Sequence, residues 1–473
     1  MSRYRKLALN SIIFAIGNLG SKLVGLFLVP LYTFFLTKQQ YGSVDLLTTT
    51  YSLLLPIVTL SIHEAVLRFT MDKDYSKTAV LNNGLMLVLI GYSVGWLLFP
   101  IFHSFFPFQQ YLIYFFIMLL LASINMTLTN FLRANNQILL FALLGIVSSI
   151  TMLIATFFLL VYCHLGIPGY LFSFVISDAV SIIAILLFGK VCPLLSFSSV
   201  SITYMKQMIR YSVPLIPNTI MWWVMGVSDR YLILYMIGIG ANGLYAVANK
   251  IPSVLSVVST IFFQAWQLSA IEENQSESKS HFYSTIFALL SAILFAGTSL
   301  ILVGLKPLIH WIIAPQFYQS WRYVPFLLLG VIFSSFTSFI GTNYIAAKKT
   351  SGAFQTSLIG AAVNSGANML LIPLMGTNGA SFATMLSFLV IWLLRVWDTR
   401  HFVQIHIRKR SFIGSLCLLF VQIILLYSTM RHGLLWQTIL FFLVVMINGR
   451  ILLTVLTKGM GFLHGKINQS IKL

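Results

Sequence analysis

Apolar runs of roughly twenty residues or more recur along almost the whole of this 473-residue chain, and no other feature limits its fold so strongly. A helix rises ~1.5 Å per residue, so about twenty residues cross the ~30 Å hydrocarbon core of a bilayer. Spans are expected near 10–36, 43–69, 79–102, 111–132, 139–163, 167–188 and 210–236, then 242–269, 282–305, 323–347, 353–374, 377–399, 411–430 and 434–457. The longest gaps, near 189–209 and 306–322, are only about 20 residues, too short for an inserted soluble domain. The predicted class is an all-α integral membrane protein of about fourteen transmembrane helices. The run at 10–36 is too long for a signal h-region, contains Lys22 and has no small-residue cleavage site after it, so the first helix is expected to be retained.

Charge placement sets the expected orientation. Only 8% of residues are charged, where a soluble domain carries about 25%. The excess of 29 Lys and Arg over 10 Asp and Glu would suit nucleic acid, but most of these cations lie in short loops between spans, so no nucleic-acid partner is expected. With the N-terminus in the cytoplasm, 21 basic residues fall on the inner side, Arg395 and Arg400 among them. Only Lys38, Lys306, Arg322 and Arg431 fall outside. The bias places both termini in the cytoplasm. The acidic loop from Glu272 to Glu277 also falls inside, but acids weigh little in this rule.

The chain repeats itself. Gly42-Ser43-Val44-Asp45 parallels Gly243-Leu244-Tyr245-Ala246, and Gly166-Ile167-Pro168-Gly169 parallels Gly376-Thr377-Asn378-Gly379. Asn130 and Ala134 likewise parallel Asn343 and Ala347. Two six-helix lobes in the same orientation follow, 1–190 and 191–405, with an appended two-helix segment and cytoplasmic tail at 406–473. Parallel repeats of this kind build transporters, with the site near mid-membrane between them.

The few charges left inside the spans are Lys22, Arg230, Lys250, Arg450, Asp178 and Asp229. Each costs at least roughly 2.5–3.5 kcal/mol near the bilayer centre, so each invites a functional reading. Lys22 is either an anion site facing a central cavity or the ion-pair partner of Asp178. Asp178 is correspondingly a coupling carboxylate or a structural one. Arg230 and Lys250 could face the cavity, where a guanidinium fork suits phosphate, or Asp229 could clamp Lys250. Arg450 is read as snorkelling. Glu64 and Arg68, one turn apart, form a helix pair or a gate. Trp222 and Trp223 lie mid-span, for packing or for stacking on sugars. Pro30, Pro56, Pro214, Pro217 and Pro252 interrupt four spans, marking them as the mobile set.

Catalytic chemistry has no foothold here. The histidines are scattered, the acids do not cluster, and no GxxxxGK[ST] loop is present. Cys163, Cys192 and Cys417 are isolated, which argues for neither a disulfide framework nor a metal site. The expectation is a transporter without cofactor or metal, not an enzyme.

The stretch Ser228-Asp229-Arg230-Tyr231 through Gly243-Leu244-Tyr245 to Lys250-Ile251-Pro252 resembles the central signature of the Wzx-type polysaccharide biosynthesis family. Asn18-Leu19-Gly20-Ser21-Lys22, Pro30-Leu31-Tyr32 and Tyr41-Gly42 are similar to that family's first helix and turn. The resemblance implies a MATE-like fold with a V-shaped cationic cavity and alternating access. It also implies a flippase in a bacterial cell membrane, carrying an undecaprenyl-diphosphate-linked oligosaccharide for capsule, O-antigen or exopolysaccharide. Membrane lipids and other polysaccharide assembly proteins would be its partners. By position Lys22, Arg230 and Lys250 would line the cavity, and Arg68 and Arg133 would meet the diphosphate first. The two C-terminal helices could form a groove for the polyprenyl tail. A lipid II-type flippase and a cation or drug exporter of the sister family are the alternative readings.

Overall fold

The computed structural model describes residues 20, 24–25, 27–72, 74–97, 108–272, 279–346, 350–401, 403–428, 430 and 432–470. Most of the first expected span, Lys22 included, lies outside these residues, as does most of the acidic 272–277 loop. The described residues are helical, without strands, and the chain forms two compact units, Met1–Val247 and Ala248–Leu473.

The first unit contains α1 (27–35), α2 (Lys38–Val58), α3 (Ile62–Met71), α4 (Lys77–Leu97), α5 (Leu112–Ala134), α6 (Ile138–Phe157) and α7 (Gly166–Phe188). After these come α8 (Ile202–Ser212), α9 (Ile216–Val227) and α10 (Asp229–Met236). The boundary between the units falls within α11 (Ile239–Glu272). The second unit continues with α12 (Lys279–Ile312), α13 (Val324–Ala346), α14 (Thr350–Met375), α15 (Thr377–Thr399), α16 (Lys409–Tyr427) and α17 (Gly433–Ser470).

Eleven of the described helices are long and apolar enough to cross a membrane, or twelve if α2 and α3, bent by 53°, form one span. The bend has a local cause: Pro56 has no N–H to give its helix, and Leu60 and Ser61 then take left-handed backbone (φ 49° and 51°). The expected seventh span, 210–236, is broken into short pieces. Pro214 sits in a 3-10 turn (Val213–Leu215), Pro217 opens α9, and a second break falls at Ser228.

Within the first unit, Ile62, Val66, Val80, Leu81, Leu128 and Met208 share one buried cluster that joins α3, α4, α5 and α8. Two asparagines pin the long segment ahead of α8. Asn82 donates to the Leu194 carbonyl (2.7 Å) and accepts from Ser196 N–H (3.0 Å). Asn83 does the same with the Ser199 carbonyl (3.0 Å) and Ser201 N–H (2.8 Å). Each amide thus satisfies a loop backbone as a neighbouring strand would.

Within the second unit aromatic rings replace the aliphatic cluster. Trp266 stacks on Phe339 at 4.4 Å, and Phe412 of α16 lies 5.3–5.6 Å from Phe295, Phe336 and Trp392. Gln422 of α16 exchanges bonds with Ser299 of α12 and Gln437 of α17. In lipid, where burial alone does not drive helix association, such packing and interhelical bonds are what hold the bundle.

The sequence repeat has a backbone counterpart in both units. Gly166 and Gly376 both take positive φ (+58° and +62°) where a helix starts. Three residues on, a Cβ at Gly379 would meet the Leu371 carbonyl at 2.2 Å, and one at Gly169 the Leu159 carbonyl at 3.2 Å. A turn residue without a Cβ, then a second glycine against the preceding helix, is the same solution twice.

Candidate functional site

The polar groups of the first unit converge where α2, α10 and α11 start. Thr37 caps α2: its hydroxyl accepts from Gln40 N–H (3.2 Å), while the Gln40 side chain accepts from Thr37 N–H (2.9 Å). One turn later α2 crosses α11 backbone to backbone. A Cβ on Gly42 would lie 2.2 Å from the Ile239 carbonyl, and one on Gly243 2.0 Å from the Lys38 carbonyl. Only glycine admits this approach. The buried Asn242 side chain seals it by donating to the Gly42 carbonyl (3.0 Å).

Three charges lie beside this crossing. Arg230 Nε is 2.7 Å from Asp45 Oδ2, with side chains only 10% and 11% exposed. Arg230 Nη1 lies 3.9 Å from Asp229 Oδ1. Asp229 stands in the first turn of α10, where the helix dipole favours a carboxylate, and accepts from the Tyr245 hydroxyl. Asn242 also reaches Asp45, at 3.4 Å. One guanidinium is therefore held between two carboxylates from different helices, in a setting where an unpaired charge is costly. Farther along α2, Trp223 donates its indole N–H to the Thr49 carbonyl (3.1 Å), and the Tyr231 and Thr50 hydroxyls are bonded.

Of the residues expected from sequence, Asp229, Arg230 and Trp223 are brought into this seam. Asp178 is elsewhere, half-buried on α7, where Asn125 of α5 donates to it at 2.7 Å and Ser181 donates to Asn125 at 2.9 Å. Lys250 is half-buried on α11, Arg133 is exposed at the end of α5, and Trp222 is 36% exposed. The Glu64–Arg68 pair is not made: Glu64 lies 3.6 Å from His63 Nε2, and no ion pair joins it to Arg68. Both side chains are exposed, a setting in which such pairs gain little.

Sequence reasoning missed two charges. Asp45 stands three residues inside the expected second span, where its place in the turn motif disguised it; an acid two turns after a capped helix start was the available signal. Arg395 was counted with the inner-side basic residues, although it falls within the expected 377–399 span. It is 3% exposed on α15 and donates to Thr356 Oγ1 (3.0 Å), the Thr337 carbonyl (3.0 Å), the Ala353 carbonyl (3.2 Å) and Ser357 Oγ (3.0 Å). Its acceptors are neutral groups of α13 and α14.

Residues 7–267 match the model of a family described as "Polysaccharide biosynthesis protein". An uncharacterised membrane protein of Methanocaldococcus jannaschii is 24% identical over 212 residues, which span 41% of either chain. Among solved structures, the lipid II flippase MurJ in an inward closed conformation matches with a TM-score of 0.67 at 17% identity, over 94% of this chain and 100% of that one. VcmN, a MATE transporter of Vibrio cholerae, matches with a TM-score of 0.59 at 14% identity, over 84% and 97%. The fold is thus that of the MATE and MurJ transporters.

Proposed function

Because this chain belongs to the polysaccharide biosynthesis protein family, we propose that it is a flippase for an undecaprenyl-diphosphate-linked oligosaccharide repeat unit. It works in a bacterial cell membrane, both termini in the cytoplasm, and passes the unit from the inner to the outer leaflet by alternating access. The observation that carries this reading is the family match itself, which spans the Asp229–Lys250 signature. The MurJ likeness, over nearly the whole chain, supports a lipid-linked anionic cargo.

A diphosphate in a ~30 Å apolar layer needs compensating cations. Lys22, Arg230 and Lys250 supply them in this reading, with Arg68 and Arg133 as earlier contacts and Trp222 as a sugar platform. Arg230 is already engaged by Asp45, so a diphosphate must compete with that carboxylate for the guanidinium fork. Winning it leaves Asp45 without its partner beside the Gly42–Gly243 crossing. The start of α2 then becomes easier to part from α11. Cargo binding and helix movement are coupled through one ion pair, whose differential affinity for the two states is what the change requires.

Purified protein in liposomes, given a labelled undecaprenyl-diphosphate oligosaccharide, tests this by the fraction a glycosidase outside can reach. Wild type should expose the inner-leaflet pool within minutes, and Arg230→Gln should not. Equal exposure in protein-free liposomes would refute the activity.

A further inference from the structure

The second unit holds a cavity of about 370 Å³ where the ends of α12 and α16 meet the start of α17. Val303, Leu425, Leu426 and Leu434 form its apolar wall, and Lys306 and Gln437 supply polar groups. The Lys306 ammonium donates to the Leu426 carbonyl (2.6 Å) in the last turn of α16, a helix-capping contact. It also stands 4.4 Å over the Trp321 ring, and Arg322 lies 5.9 Å from the same ring. An ammonium has three donors, and the carbonyl takes one.

Neither cation is neutralised by the segments around it. No Asp or Glu occurs between Glu277 and Asp398, or after Asp398, so none of the helices building the cavity carries an acid. Gln437 is 3% exposed and donates its amide N–H to the Gln422 carbonyl (2.7 Å). Its Oε1 is closed off from solvent and faces no open space. Two nearby indoles, Trp311 at 84% and Trp436 at 49%, are exposed on α12 and α17. Exposed indoles of this kind belong at the headgroup level of a bilayer.

An occupant that suits these groups brings an anion for Lys306 and hydrocarbon for the leucines. We infer that the cavity binds the headgroup of an anionic glycerophospholipid. Its phosphate sits on Lys306 with Arg322 nearby. Phosphatidylglycerol has this chemistry; phosphatidylcholine has the phosphate but no net negative charge. The bound lipid ties α12 to the α16–α17 pair. The inference requires only that the chain be embedded in a membrane and stands apart from the cargo reading.

Native mass spectrometry of the full chain, released from micelles doped with either phospholipid, tests it. Phosphatidylglycerol adducts should survive activation energies that strip phosphatidylcholine. Lys306→Gln should weaken phosphatidylglycerol retention by about tenfold, as for one lost charge-assisted hydrogen bond. A size-exclusion profile establishes that Lys306→Gln is folded, and the comparison of the two phospholipids on the wild type decides the matter if it is not. Equal retention of the two phospholipids, or retention indifferent to Lys306→Gln, overturns the site. Undecaprenyl phosphate forms a third arm. If it outcompetes phosphatidylglycerol and loses that advantage in Lys306→Gln, the phospholipid assignment is overturned in favour of the cargo's anchor.

Discussion

Arg230 and Arg395 are both guanidiniums buried in apolar helices, yet one faces carboxylates and the other only neutral acceptors. The difference decides what their removal does. Arg230→Met strands Asp45 and Asp229 together in a buried site, a change that typically costs about 3–5 kcal/mol. Arg395→Met orphans hydroxyls and carbonyls but no charge, and should cost roughly 1–3 kcal/mol. Thermal melting in detergent should therefore rank Arg230→Met below Arg395→Met, and Arg230→Met combined with Asp45→Asn should recover part of the loss. The reverse ranking would mean that Asp45 does not depend on Arg230. At this scale the sequence was informative about charge but not about partners. Asp229 and Arg230 stood out because a span should hold no charge. Asp45 did not, because a residue near a helix start reads as a loop residue until its neighbours are known.

The helix crossings and tethers depend on single residues. Gly243→Val places a branched side chain where the Lys38 carbonyl already stands, 2.0 Å from an added Cβ. It must push α2 off α11, so its melting temperature should fall well below that of Gly414→Ala, where the nearest atom lies at 3.6 Å. Asn82→Ala removes both bonds to the 194–196 segment, each worth about 1 kcal/mol. Hydrogen exchange at Ser196 should accelerate without change in α13. Most spans were legible as apolar runs, and the glycine pairs as repeats, because length and missing side chains leave direct traces in sequence. The broken seventh span was not. Prolines announced a bend, but hydropathy is blind to whether the backbone resumes as one helix or as three short pieces.

For the whole molecule, the proposed flippase role makes the half-buried Asp178 on α7 bear on how transport is driven. If Asp178 couples an ion, Asp178→Asn should fold and insert normally yet fail to respond to an imposed ion gradient in liposomes. A variant that misfolds would assign Asp178 to structure, through Asn125. That the chain folds as a bundle of membrane-length helices was legible from the sequence because lipid allows so few solutions. Cargo identity was not legible in the same way, since it depends on side chains that distant segments bring together. The most direct test of the flippase assignment is mass spectrometry of membrane lipids from cells lacking this protein. The account predicts that an undecaprenyl-diphosphate oligosaccharide accumulates in the deletion and is cleared when the wild-type chain is restored. Unchanged lipids, together with new sensitivity to cationic drugs, would contradict it and make the chain an exporter.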